Sequence, residues 1–440
     1  MHGDNPLILS YRRFATLVLV LNIFSALLFV AMVRKPVYDD STNLRDVHRY
    51  TTEGVTLQSI RAHVNPTGPG SFLWMAAGIH LLGGDEIRSA RLAIMTSWLI
   101  LGIGILIAAG RSEMPEIWYA ALLLTLVFPH TMTTTATLMT EGPALLTALL
   151  GTFVWTRTIS LPRVTPQVAG LLLLAGLAFG LAITCRQYYI ALLPAAAAVA
   201  ILQWWKQPAH RGVAWALAVL ASLLVAAIPI GLLTLVWKGL SSPSIASGAS
   251  YAQWKAAVGL NFTRPLTATF DLAAWMVPLT FPAMWQLQSV RRWIVLCGSL
   301  GAGVAAAHFR ESLVQPGPLH SLEKMASRVP HGEFLVIAGL GAAASYNAVA
   351  VATLLIRTRS EVARSSAVLF SLFVVLFFVL EQFGIGGNIP FYDRYVLQVA
   401  PFLGMIAFSA LPKLTTWRLT VFALMVLFSH ALLWRNAFGS

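Results

Sequence analysis

Two adjacent carboxylates, Asp39 and Asp40, follow an apolar run that ends at Val33. A carboxylate at the edge of a membrane helix is partly desolvated and can take a proton from an incoming hydroxyl. Aspartate is equally a residue that starts helices, and 41–52 reads as a helix, so both uses are open. Glu141 poses the same choice. It ends the threonine-rich stretch 133–140, where a lone acid beside a span is costly unless exposed or paired. It can also sit in the first turn of a helix capped by Thr140. Arg186-Gln187-Tyr188-Tyr189 interrupts two apolar runs. A guanidinium fork matches phosphate oxygens two at a time, although an interfacial arginine can simply snorkel to water. Tyr392-Asp393-Arg394-Tyr395 repeats the pattern, with an Asp393–Arg394 surface pair as the plain alternative. Together these positions offer acids for proton removal and cations for a phosphate leaving group. His308, His320 and His331 have no metal-ligand spacing and read as ordinary loop residues. Cys185 and Cys297 make neither a disulfide framework nor a metal motif and read as small buried hydrophobes. Asn261-Phe262-Thr263 has the glycosylation pattern, which matters only in a eukaryotic lumen.

The elements that must position these groups are transmembrane helices. The 440 residues are 57% hydrophobic and 11% charged, against about 25% charged in soluble domains. So few charges could not cover a water-exposed surface, and lipid removes the need. Apolar runs near 20 residues match about 30 Å of hydrocarbon. In lipid the backbone must satisfy itself, so these runs must be helices. The period-2 segments of a barrel are absent. The expected architecture is all-α, a polytopic bundle of about 13 spans. They are Phe14–Val33, then 89–110, 114–136, 142–159, 166–185, 188–206, 213–237, 268–289, 293–308, 333–356, 367–384, 395–411 and 417–434. The first lacks a small-residue cleavage site and reads as an uncleaved helix. With the N-terminus cytoplasmic, every short inside segment carries a lysine or arginine. The long segments 34–88, 238–267 and 309–332 and the polar turns 137–141 and 385–394 then fall outside. That asymmetry places the candidate site on the external face.

The net charge of +13 has no basic stripe with interleaved aromatics, so it reads as topology signal and attraction to anionic lipid, with no nucleic-acid partner. The chain reads as one domain, 1–440, with 34–88 as a first external loop. Within that loop 41–52 and 71–82 read as two short helices separated by Asn65-Pro66-Thr67-Gly68-Pro69-Gly70. Leu44, Val47 and Tyr50 form a stripe that would let the first lie flat on the membrane. No internal repeat of the kind found in many transporters is visible.

These residues resemble the GT-C superfamily, membrane glycosyltransferases that take a sugar from a polyprenyl phosphate. Within it the nearest resemblance is to the dolichyl-phosphate-glucose-dependent glucosyltransferases, with protein mannosyltransferases and lipid A aminoarabinose transferases as relatives. The resemblance rests on Tyr38-Asp39-Asp40, Arg49-Tyr50, Pro69-Gly70, Phe128-Pro129 with Thr140-Glu141, Arg186-Gln187 and Arg394-Tyr395. It departs where the family has Asp-Glu rather than Asp-Asp and Thr rather than Tyr188, and 238–267 lacks the family's histidine-rich motif.

What the resemblance implies is displacement at the anomeric carbon with inversion. Asp39 would deprotonate the acceptor hydroxyl and Asp40 would shape the field beside it. Glu141 would orient donor or acceptor. Arg186 or Arg394 would stabilise the departing phosphate, and Arg49, Tyr50, Gln187, Tyr188 and Tyr395 would line the substrates. No cofactor is required, and a divalent metal is compatible with the chemistry. The partners would be a polyprenyl-phosphate sugar, a glycan, lipid or protein acceptor, and the bilayer. A lipid-linked glycan polymerase or ligase would need its long external loop late in the chain, whereas the longest here comes first. A lipid or glycan transporter would place charges at mid-span, whereas these acids sit at span ends. The excess of 24 arginines over 6 lysines, with abundant alanine, suggests a bacterial inner membrane rather than endoplasmic reticulum.

Overall fold

A computed structural model describes residues 6–112, 114–161, 163–206, 212–239, 242–246, 263–280, 289–309, 324–357, 365–384, 393–410 and 415–438. Among them there are helices and no strand. Eight helices are long and apolar enough to cross a membrane, and four shorter apolar ones accompany them. In chain order the helices are α1 (Pro6–Met32), α2 (Asp40–Glu53), α3 (Leu57–Arg61), α4 (Gly70–Leu82), α5 (Glu86–Ala109), α6 (Pro115–Val127), α7 (Thr131–Ala136), α8 (Glu141–Ile159) and α9 (Pro166–Cys185). They continue with α10 (Leu192–Lys206), α11 (Val213–Trp237), α12 (Pro243–Ala246), α13 (Thr263–Thr280), α14 (Ser289–His308), α15 (Gly332–Arg357), α16 (Ser366–Glu381), α17 (Val396–Ala410) and α18 (Thr416–Phe438).

Each expected span has a helical counterpart, with one correction. The run 114–136 is not one helix. It breaks at Phe128-Pro129-His130 into α6 and α7. A residue before proline is pushed out of the helical region, and Phe128 is extended at φ −60°, ψ 138°. The interruption expected around Arg186 is present. Arg186 is extended at φ −144°, ψ 112°, between α9 and a tight turn, Gln187–Ala191, that opens α10.

Helix α6 is the centre of the bundle, and Ile117 through Val127 are all buried. It packs against α1, α5 and α17. Helix α11 sits at the edge against α9. Its Leu217, Leu220, Leu224, Ile228, Leu232 and Leu235 are exposed at helical spacing, which in a membrane protein is the lipid-facing stripe. On its other side Gly176 and Gly180 of α9 let the backbone of α11 approach at Ser222 and Ala226, the small-residue contact that substitutes for a hydrophobic drive in lipid.

The first loop holds three short helices rather than two, because Thr56 and Ser59 form a capping box that starts α3. The apolar stripe of α2 does not lie on the membrane. Val47 and Tyr50 are buried, in the same apolar cluster as Phe72 of α4 and Ile94 of α5. The loop is bolted to the bundle by hydrogen bonds. Asn43 Nδ2 donates to the Leu138 carbonyl at 2.5 Å, Ser71 Oγ to Thr140 at 2.9 Å, and Trp237 Nε1 to Ile60 at 2.9 Å. These bonds gather the ends of α7, α8 and α11 under one loop. At the far ends of their helices Gln203 Nε2 and Ser160 meet Ser366 Oγ, each at 2.8 Å. The bundle therefore has one loop-bearing end and one with short connections.

Candidate functional site

The site forms where the first loop meets the ends of the bundle. Tyr38 turns the chain through the left-handed region at φ 53°, a conformation that a bulky residue adopts only when surroundings hold it. Asp39 follows at the N-cap of α2, yet its side chain makes no cap hydrogen bond. Instead its Oδ2 accepts from Arg394 Nη1 at 2.8 Å, with the carboxylate side chain 50% exposed. Asp39 thus holds the N-cap position without a side-chain capping bond.

Glu141 stands in the first turn of α8 with Thr140 at the N-cap position. Thr140 makes no side-chain cap bond, and Glu141, wholly buried, pairs with Arg186. Arg186 is itself buried, so it points inward rather than snorkelling to water. The helix break that frees its side chain is reinforced by glycine. A Cβ on Gly68 would collide with the Thr184 carbonyl, and one on Gly70 would crowd Cys185 Sγ at 2.8 Å. The Gly-Pro-Gly turn thus seats the loop directly against the end of α9, next to Arg186.

These two ion pairs converge on Tyr395. The guanidinium carbons of Arg186, Arg264 and Arg394 lie 6.0, 5.9 and 5.8 Å from its ring centroid, within the range of cation–π attraction. The Tyr188 ring is 5.1 Å away, and its hydroxyl accepts from Arg264 Nη2 at 2.9 Å. Arg264 also donates to Gln382 Oε1 at 2.8 Å. Burial works against the charge on Arg394, and Tyr395, Glu141 and Asp39 outweigh it, so its pKa is raised. Three guanidiniums thus surround one ring, with the carboxylates of Glu141 and Asp39 paired to two of them.

Asp40 is engaged elsewhere. Only 1% exposed, its Oδ2 accepts from Arg91 at 2.6 Å and from the Val37 N–H at 3.1 Å, and its Oδ1 from the Leu138 N–H at 2.7 Å. Arg91 also donates to the Lys35 carbonyl at 2.8 Å. Burial raises the Asp40 pKa, with the Arg91 charge working against it. This is a brace between the loop, α5 and the 137–140 turn.

Arg49 and Tyr50 are also drawn into the scaffold. Arg49 Nη1 donates to Asp46 Oδ1 at 2.8 Å, and the Tyr50 hydroxyl lies 3.2 Å from His63 Nδ1. Asp46 additionally accepts from the N–H groups of Val64 at 3.0 Å and Asn65 at 2.9 Å, and His63 Nε2 is 2.7 Å from the Thr67 carbonyl. Burial lowers the His63 pKa. Gln187 is half-buried on the turn before α10. The side chain of Asp393, with Tyr392, His320, Asn261 and Phe262, lies outside the described residues. Among those described, no three His, Cys, Asp or Glu side chains lie together as a metal group would need.

The structure thus brings Asp39, Glu141, Arg186, Tyr188, Arg394 and Tyr395 together and separates Asp40, Arg49 and Tyr50 from them. Sequence reading missed Arg264 and Arg91. Arg264 carried a usable signal: like Arg186 and Arg394, it is a lone arginine at the loop-facing start of an apolar run, here just before Pro265.

An all-helical membrane bundle whose acids and arginines meet under its first long loop is the arrangement expected of the GT-C class. Residues 68–237 match the family described as dolichyl-phosphate-mannose-protein mannosyltransferase. That bears out the mannosyltransferase relatives named for the resemblance, not its glucosyltransferase part, over a segment containing Pro69-Gly70, Phe128-Pro129, Glu141 and Arg186-Gln187, while Asp39, Asp40 and Arg394 fall outside it. No curated protein sequence matches the chain. Among solved structures, the chain is similar to ArnT from Cupriavidus metallidurans in the apo state, with 17% identity, 96% of this chain and 77% of that one covered, and a TM-score of 0.45. The undecaprenyl-phosphate-bound form of that protein gives 16%, 96%, 77% and 0.43. The archaeal oligosaccharyltransferase AglB from Archaeoglobus fulgidus, in complex with an inhibitory peptide and a dolichol-phosphate, gives 10%, 86%, 56% and 0.36.

Proposed function

We propose that the chain is an inverting glycosyltransferase that moves a sugar from a polyprenyl-phosphate donor to an acceptor hydroxyl at the external face of a bacterial inner membrane. The observation that carries this reading is the half-exposed Asp39 carboxylate, 2.8 Å from Arg394, at the edge of a three-arginine cluster on Tyr395. The matched family acts from a lipid-phosphate sugar, which supports the donor class. The lysines and arginines of the short connections support the orientation.

In this mechanism the donor phosphate enters among Arg394, Arg264 and Arg186. It competes with Asp39 for Arg394 and so frees the carboxylate to accept a proton. Asp39 takes the acceptor's hydroxyl proton as that oxygen attacks the anomeric carbon from the face opposite the phosphate. The carbon–oxygen bond to phosphate breaks, its electron pair leaves on the polyprenyl phosphate, and the configuration inverts. The arginines act on charge that grows in the transition state, where electrostatic stabilisation raises the rate.

The test is transfer from undecaprenyl-phosphate glucose, galactose and mannose by purified protein in lipid nanodiscs, wild type against Asp39→Asn. Loss of transfer with an unchanged melting temperature supports the reading, and unchanged transfer removes Asp39 as the base. For orientation, a membrane-impermeant thiol reagent applied to intact cells should label Glu53→Cys and spare Arg111→Cys. The opposite pattern would place the site on the cytoplasmic side.

A further inference from the structure

Gln398 lies in the first turn of α17, four residues after Arg394 and three after Tyr395. The tight turn Asp393–Tyr395 leads directly into α17, so Gln398 follows the arginine cluster by about one turn of chain. Its side chain is 1% exposed, and neither Oε1 nor Nε2 has a hydrogen-bond partner among the described residues. An unpaired buried amide is costly, and folded proteins rarely tolerate one without a reason. The neighbourhood supplies the reason. The Gln398 carbonyl accepts from the Tyr189 hydroxyl at 3.1 Å, and the Tyr189 N–H donates to the Arg186 carbonyl at 3.0 Å. Glu141 Oε2 and Arg186 Nε are likewise buried without a partner. One amide that both donates and accepts, one carboxylate oxygen and one guanidinium N–H are thus buried in this part of the bundle with bonding capacity unused.

Vicinal sugar hydroxyls have the matching chemistry, since each can donate and accept at once. We infer that Gln398 is a specificity-determining residue that, with Glu141 Oε2, reads the hydroxyls of the donor sugar below its phosphate. This rests on the glycosyl-transfer reading above and adds the group that distinguishes one sugar from another. A site built to hydrogen-bond a hydroxyl discriminates strongly against a ligand that cannot complete it.

The test is ligand-dependent thermal stabilisation of purified protein by undecaprenyl phosphate alone and by undecaprenyl-phosphate glucose, galactose and mannose. In wild type at least one sugar-bearing lipid should bind more tightly than the bare phosphate. Gln398→Met, similar in length and apolar, should keep the response to bare undecaprenyl phosphate and bind the preferred sugar-lipid about tenfold more weakly. Its ligand-free melting temperature should stay level or rise, because the substitution removes an unpaired buried amide. A fall in that temperature would mean that Gln398 is structural and would overturn the inference. So would an undiminished preference for the sugar in Gln398→Met, or a wild type that responds equally to all four lipids while the phosphate seat stands. If wild type responds to none of them, and no more than Arg394→Gln does, the glycosyl-transfer reading itself fails.

Discussion

Asp39 and Asp40 are adjacent and chemically alike, yet the fold uses them in opposite ways. Asp39 stands half-exposed, paired with Arg394 from 355 positions away. Asp40 is enclosed, with both oxygens occupied by Arg91 and two backbone N–H groups. The difference comes from one residue of helical rotation. Asp40 begins α2 and is turned toward α5, while Asp39 remains on the left-handed turn set by Tyr38 and faces α17 and its preceding turn. In the mechanism proposed above Asp39 exchanges the proton, a task that Asp40, with both oxygens bonded, is not free to perform.

The largest effect expected from breaking this contrast is on the open side. Asp39→Asn removes the proposed proton acceptor and should lower transfer by about 10²–10⁴-fold with the melting temperature unchanged. Asp40→Ala should do the reverse. It leaves Arg91 charged and unpaired in the interior, which costs about 3–5 kcal/mol, so it should lower the yield of folded protein and the melting temperature. The double variant Asp40→Leu, Arg91→Met should recover part of that stability, and recovery of none would show that the brace does not act as a pair.

Gly68→Ala tests the seat between the two regions. The added methyl collides with the Thr184 carbonyl, a backbone atom that cannot rotate away. Overpacking of this kind costs about 1–3 kcal/mol. Protease sensitivity of the 34–88 loop should rise and transfer should fall, because the loop and Arg186 move apart together. An unaltered digestion pattern would detach the loop from the site.

The smallest effect is on pH dependence. Burial lowers the His63 pKa below its ordinary value of 6.5, so the folded loop binds this proton less readily than the unfolded chain does. Stability from His63 is complete above pH 6.5 and is lost as the pH falls from there through the folded pKa. The wild-type melting temperature should therefore drop on acidification over that window. His63→Gln should flatten the drop, and an equal drop in both would assign it to other groups.

Much of the architecture was legible in sequence because spans report themselves locally. A run such as 166–185 has to be helical in lipid whatever it packs against, and the interruption at Arg186 is also local; the pre-proline break at Phe128 is local too, yet the run 114–136 read as one span. The stripe Leu44, Val47 and Tyr50 was visible as well, but not what covered it. Periodicity identifies a buried face without saying whether lipid or protein buries it.

The sequence by itself determined that this chain is a helical membrane protein, roughly where most of its spans lie, and that arginines and acids cluster at their ends. Only the tertiary structure decided which acid meets which arginine. It paired Asp39 with Arg394 and Glu141 with Arg186, closed Asp40 onto Arg91, and added Arg264 to the ring around Tyr395. The physical reason is that helix formation depends on hydrogen bonds four residues apart, whereas these pairs span 45 to 355 positions. Their choice of partner depends on how the bundle packs, and no local pattern along the chain encodes it.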